Sequence, residues 1–162
     1  LAVKIGPYYS SLANVTREIR KAGAQGLVLF NRFYQMDIDI ENQQLKPGVQ
    51  FSAPEEIYPT LRWLSLLYGR IGCDLAATTG IHNSEAAIKA LLAGAGVVQM
   101  CTGVYRGGYE ALTEARDGIA AWMDRHGVQT IAEMSGRLSQ DQSDKPELYE
   151  RLQYIRALTG LS

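Results

Sequence analysis

The sequence predicts an α/β fold built from repeated βα units with parallel strands, and three observations carry that prediction. Four short, continuous apolar runs alternate with amphipathic helical segments. Lys21–Asn31 (KAGAQGLVLFN) and Leu92–Thr102 (LAGAGVVQMCT) repeat one pattern: a helix end, an Ala-Gly-Ala turn and an apolar strand. Ala77–Gly108 reads as strand end, tight turn, amphipathic helix, strand and a second turn of small residues. Repeated βα units imply right-handed crossovers between parallel strands. Four such units make either half of a closed barrel, which needs about eight units and roughly 250 residues, or a small open doubly wound sheet.

Each element follows from local pattern. The strand candidates are Ala2–Ile5, Gly26–Phe30, Leu75–Thr78 and Val97–Met100. Being short, apolar and bounded by turn residues, they are expected to be buried on both faces. A helix over Ser11–Ala22 is expected, with Ser10 or Ser11 as N-cap and Gly23 as its stop. Glu55–Tyr68 follows the second strand, with Ile57, Leu61, Leu64, Leu67 and Tyr68 at helical spacing. Ser84–Ala93 follows the third, capped by His82, Asn83 or Ser84 and ended by Gly94. Tyr109–His126 follows the fourth and is amphipathic through Leu112, Ile119, Trp122 and Met123. Pro146–Leu158 is a final helix, with Ser143 or Asp144 as cap. Between the second strand and its helix, 32–54 is a long excursion whose IDIENQQLK segment alternates, so a small hairpin over the strand ends is expected.

Composition narrows the function classes. A chain of 162 residues is long enough for one domain with its own core. A formal net charge of −1 gives no electrostatic case for nucleic acid or an anionic membrane surface. No apolar run is long enough to span a bilayer. Cys73 and Cys101 have neither metal-type spacing nor a histidine cluster beside them, so no metal site is expected. A reduced, cytoplasmic protein is the expectation. The chain opens as LAVKIGP, inside an apolar strand, which suggests a fragment, a processed chain or one part of a larger fold.

The chemistry-bearing candidates lie at strand ends. Thr78-Thr79-Gly80 and Cys101-Thr102-Gly103 would sit side by side at one end of the sheet. Small side chains there leave backbone N–H groups accessible, which is how a fold builds a phosphate cradle. Lys4 interrupts an apolar strand. It either contacts a ligand atom that becomes negative or reaches solvent from the strand end. Asn31 and Arg32 end the second strand, as substrate contacts or as ordinary turn residues. Cys101 has no base placed near it and reads as an inert small residue. His82 and His126 read as residues near helix ends, and Glu55 and Glu56 as structural carboxylates opening a helix. Tyr8, Tyr9, Phe33 and Tyr34 flank strand ends and read as packing residues.

The segments AVKIGPYYSS, AGAQGLVLFNRFYQMDID, FSAPEEIYPTLRW, LAATTGIHNSEAAIKALLAGAGVVQMCTG and WMDRHGVQTIAEMSG, in that order and spacing, resemble the C-terminal half of class I dihydroorotate dehydrogenases and their close relatives. The resemblance runs along almost the whole chain. It implies a (β/α)8 TIM barrel binding FMN at the C-terminal strand ends, with residues 1–162 supplying the last four βα units plus C-terminal helices. It implies an FMN-dependent oxidoreductase that converts dihydroorotate, or a related dihydropyrimidine, to orotate in pyrimidine biosynthesis. Lys4 would contact the flavin pyrimidine edge, and Asn31 and Arg32 would face the substrate. Ser52, Ala53, Thr78, Thr79, Gly80, Cys101 and Thr102 would surround FMN, with Ala53, Thr79 and Cys101 standing where the family often has glycine. The family's catalytic Cys or Ser lies on a loop of the other barrel half, so this chain alone is expected to be inactive. The partners implied are a small-molecule substrate, the missing N-terminal half in cis or trans, and a second copy in a homo-oligomer. Two alternatives stand beside this: another phosphate-binding barrel enzyme, such as an isomerase or aldolase, and a non-catalytic half-barrel that serves binding or assembly.

Overall fold

Four parallel strands form the central sheet: β1 (Ala2–Ile5), β2 (Gly26–Leu29), β5 (Asp74–Ala77) and β6 (Val97–Val98). The computed structural model describes residues 1–48 and 51–149. The spatial order β1-β2-β5-β6 follows the order along the chain. The alternating side chains Ile5, Leu27, Leu29, Leu75 and Ala77 all enter one core, where they meet Leu12 of α1 (Leu12–Lys21), Leu64 and Leu67 of α2 (Ile57–Leu67) and Ala87 and Ala90 of α3 (Ser84–Ala93). Sequential order with the helices on one face is the arrangement of a barrel wall. A doubly wound sheet reverses its strand order and places helices on both faces.

That arrangement corrects one expectation. Only β2 is buried along its whole length; Ala2 and Lys4 of β1 are exposed, and Val97 of β6 is 58% exposed. The physical reason is position. β1 and β6 are the outer strands, and among the described residues no strand flanks them and no helix packs on the face opposite the core. The core itself is dense: Leu27, Leu29 and Leu64 have no exposed surface, and each such leucine contributes about 1.5–3 kcal/mol by burial.

The helix boundaries follow from their caps. Asn83 is the residue that caps α3: its Oδ1 accepts the Ala86 N–H at 2.9 Å. Ser11 occupies the N-cap of α1 through its carbonyl, which accepts from Val15 N–H, while its side chain makes no cap bond. The expected helix over Glu55–Tyr68 begins as a 3₁₀ turn, Pro54–Glu56, and continues as α2. The hairpin in the long excursion forms as β3 (Met36–Asp39) and β4 (Gln44–Pro47), antiparallel, with Asp39 Oδ1 accepting the N–H groups of Glu41 and Asn42 in its turn.

Two features depart from the sequence pattern. A six-residue helix, α4 (Thr102–Gly107), stands between β6 and the long helix α5 (Glu110–His126), with Gly108 at φ +67° breaking the two apart. Its six residues are too few to show a helical period. A short α6 (Ile131–Met134) follows, its N-cap Thr130 accepting from Glu133 N–H. The expected final helix, Pro146–Leu158, falls largely outside the described residues.

Candidate functional site

All but one of the expected site residues line a single cleft of about 250 Å³ at the C-terminal ends of the strands. Lys4 comes from β1, Asn31 and Arg32 from the end of β2, Thr78, Thr79 and Gly80 from the turn after β5, and Cys101 and Thr102 from the turn after β6. Ser52 enters from the long excursion, and Gln99 and Ile81 complete the lining. Ala53, the exception, lines the adjoining hollow with Arg32 and Glu56. Lys4 reaches the cleft because it lies on the strand face opposite Ile5, away from the helices.

The turn after β5 is held in an unusual conformation. Thr78 N–H still bonds to Leu29 carbonyl at 2.7 Å, extending the strand ladder by one residue. Thr79 then adopts φ +72°, where a β-branched residue carries strain of about 1–2 kcal/mol. Its hydroxyl donates to Phe30 carbonyl at 3.0 Å, across the chain from the cis Leu29–Phe30 peptide, and so ties the turn to the end of β2. Gly80 follows at φ +77°, packed directly against the backbone of Ile57. Strained residues held by their surroundings mark functional turns more often than ordinary ones.

The turn residues suit an anionic group, and the excursion residues suit it less directly. The backbone N–H groups of Thr79, Gly80, Cys101 and Thr102 donate to no acceptor among the described residues. Those two turns therefore retain donors for a ligand. Ser52 and Ala53 differ. Ser52 N–H donates to Thr102 Oγ1 at 3.2 Å, and Ala53 N–H donates to Glu56 Oε1 at 2.7 Å. A ligand taking those two donors would have to displace bonds already made within the chain. Cys101 is exposed at the mouth.

Three residues given no binding role in the sequence reading shape the site. Glu56 closes back on Ala53 N–H and pairs with Arg32 Nε at 2.8 Å. Arg32 thus meets a carboxylate of its own chain before any ligand arrives. A glutamate three residues after a helix entry is the visible signal for this reach-back. Burial works to raise the Glu56 carboxyl, but the Arg32 bond and the Ala53 N–H outweigh it and hold it below its ordinary value. Because the folded-state value is depressed, the stabilisation is full above the ordinary carboxylate range and is lost as pH falls through the folded value. Urea unfolding of the chain should therefore show an acid-side loss of stability below about pH 4.3 that Glu56→Gln reduces. Identical pH profiles for the two proteins would refute the pairing.

His82 is the second. Its Nε2 lies 2.9 Å from Ser52 Oγ, which in turn lies 3.1 Å from Thr102 Oγ1. Burial and then the Arg106 guanidinium lower its basicity, against opposing pulls from Glu56 and Glu55, so the ring is held neutral at neutral pH. Gln99 is the third; its N–H bonds to Ala77 carbonyl at 2.8 Å and it borders the cleft. Tyr8 and Phe33 pack ring to ring at 6.0 Å, with Phe33 lying across Gly6. Among the described residues, no group of His, Cys, Asp and Glu is placed to hold a metal ion, and no helix is long and apolar enough to cross a membrane.

Fold and cleft together define an α/β protein with a parallel sheet whose arrangement matches part of a TIM barrel. Two structures of dihydroorotate dehydrogenase from Eimeria tenella share that fold. The ligand-free form matches with a TM-score of 0.66 at 22% identity, covering 84% of this chain and 39% of that one. The form in complex with ferulenol matches with a TM-score of 0.63. In sequence, the chain is 28% identical over 137 residues to the catalytic subunit of dihydroorotate dehydrogenase B (NAD(+)) of Shouchella clausii, spanning 83% of this chain and 45% of that protein. It is 26% identical over 136 residues to a putative dihydroorotate dehydrogenase A (fumarate) of Pediococcus pentosaceus, over 82% and 44% of the two chains. No family model matches the chain. The chain is thus partly homologous to the dihydroorotate dehydrogenase family, and it spans about half the length of the curated relatives it matches.

Proposed function

We propose that this chain is the cofactor-holding half of an FMN-dependent oxidoreductase acting on dihydroorotate or a related dihydropyrimidine. One observation carries the reading: Lys4, Asn31, Arg32, Ser52 and the two small-residue turns converge on one cleft at the strand ends. The donors left open at Thr79, Gly80, Cys101 and Thr102 suit the phosphate of FMN. Bound there, FMN would supply hydride acceptance, chemistry that no side chain offers. Lys4 supplies a fixed cation where negative charge develops, and Asn31 a donor and an acceptor for the substrate.

The base that takes the substrate proton is expected outside this chain. The exposed outer strands and the uncovered sheet face support a partner half, in cis or trans, or self-association. The purified chain should quench FMN fluorescence on titration yet turn over no dihydroorotate by itself. Robust turnover by the chain alone would overturn the half-barrel reading, and binding of other phosphate esters without FMN would favour a different barrel enzyme.

A further inference from the structure

We propose that His82 is a positioning residue of this cleft: it sets the hydrogen-bond direction of the Ser52–Thr102 pair so that Thr102 turns its own hydroxyl hydrogen toward a bound phosphoryl group. The inference rests on the phosphate-cradle reading above and adds a residue that the family resemblance does not supply.

Three loops meet at this point. Ser52 belongs to the long excursion, His82 to the turn before α3, and Thr102 to the start of α4. Gly103 lets the last two approach closely, since a Cβ there would stand 3.2 Å from both Cα and the carbonyl oxygen of His82. Ser52 and Thr102 are each only 6% exposed, so water does not decide their hydrogen-bond polarity. Thr102 Oγ1 accepts Ser52 N–H at 3.2 Å and lies 3.1 Å from Ser52 Oγ.

A hydroxyl has one hydrogen to give and two lone pairs, so two arrangements exist. In the first, His82 Nε2–H donates to Ser52 Oγ, and Ser52 donates to Thr102. Both acceptor positions of Thr102 are then filled, and its hydrogen remains for the cleft it lines. In the second, Ser52 donates to a bare His82 Nε2, Thr102 donates to Ser52, and Thr102 offers an anion nothing. The choice between them lies at His82 Nε2. An anionic oxygen in the cleft selects the first arrangement, and selecting it improves the cradle for that oxygen.

The charged groups around the ring are spread over three elements. Glu55 and Glu56 face it from the 3₁₀ turn, with Arg32 paired to Glu56; Arg106 faces it from α4. Glu85 and Lys89 of α3 border the same crevice and pair with each other. Burial and the Arg106 guanidinium outweigh the two carboxylates and favour the neutral ring, whose one hydrogen sits on either nitrogen, so an Nε2–H donor is one of its two forms.

The test is FMN titration of the 162-residue chain by fluorescence, beside nitrogen-15 NMR of the His82 ring. His82→Ala is expected to weaken FMN about tenfold. His82→Gln, which places an N–H near the position of Nε2, should recover most of that. In a Thr102→Val background His82→Ala should have no further effect, because the residue acts through Thr102. On the unaltered chain, NMR should show Nε2 protonated once FMN is bound. An FMN affinity unchanged by His82→Ala, an undiminished effect in the Thr102→Val background, or a bare Nε2 in the bound state would each overturn the inference while leaving the FMN reading intact. Failure of the unaltered chain to bind FMN at all would remove the FMN reading and this inference with it.

Discussion

Gly80→Ala is expected to destabilise the chain by about 2–5 kcal/mol. Two costs add. The residue sits at φ +77°, where a Cβ costs about 1–2 kcal/mol. The added Cβ would also overlap the backbone nitrogen of Ile57 and stand 2.9 Å from its Cα. Backbone at the start of a packed helix does not yield as a side-chain end does, so overpacking adds roughly 1–3 kcal/mol. For a chain of this size that lowers Tm by roughly 4–20 °C. Gly23→Ala is the control: Gly23 has φ +104° but no atom within 4 Å of its would-be Cβ, so only the conformational cost applies. Equal losses for the two variants would show that the Gly80–Ile57 contact carries no energy. The glycine of this turn therefore fastens it to α2, while the neighbouring Thr79 keeps the strained conformation that leaves its N–H open.

How much of this was legible in the chain depended on whether a feature is local. The positions of all four strands could be read within one or two residues, because apolar runs and their flanking turns are properties of neighbouring residues. The boundaries of α3 and its Asn83 cap follow from the same local chemistry. The hairpin at Met36–Pro47 showed in its alternation. Features that depend on where separate segments meet stayed hidden. An apolar tetrapeptide such as AVKI reads the same at the centre or the rim of a sheet, so the exposure of β1 could not be read. Arg32 looked available for a ligand, since its pairing with Glu56 requires the excursion to fold back. His82 looked like a helix-end residue; only the meeting of three loops places it on Ser52. The cluster of strand-end residues itself could be anticipated, because a parallel βα repeat brings all its C-terminal strand ends to one side.

Lys4→Ala is expected to slow FMN reduction by about 10²-fold in the completed barrel while weakening FMN binding far less. The argument starts from position. Lys4 is the only charged residue of β1, lies in register with Val28 of β2, and lines the cleft from the strand face away from the core. A cation there does little for a neutral ring but opposes the negative charge that accompanies reduction. At about 4 Å and an effective dielectric constant near 20, that interaction reaches about 4 kcal/mol. Lys4 is exposed, so solvent screens a large part of it. What remains should lower the reduction potential of FMN bound to this chain by about 30–60 mV when the cation is removed, 30 mV being about 1.4 kcal/mol for a two-electron couple. Dye-equilibrium measurement of the potential needs no substrate and no partner half, so it separates the role of Lys4 from that of the missing base. Lys4→Arg should keep most of the potential, since charge rather than shape is the working property. A potential that stays put in Lys4→Ala would leave Lys4 as a strand-end residue reaching solvent, and the charge-stabilising role would then fall to a group outside this chain.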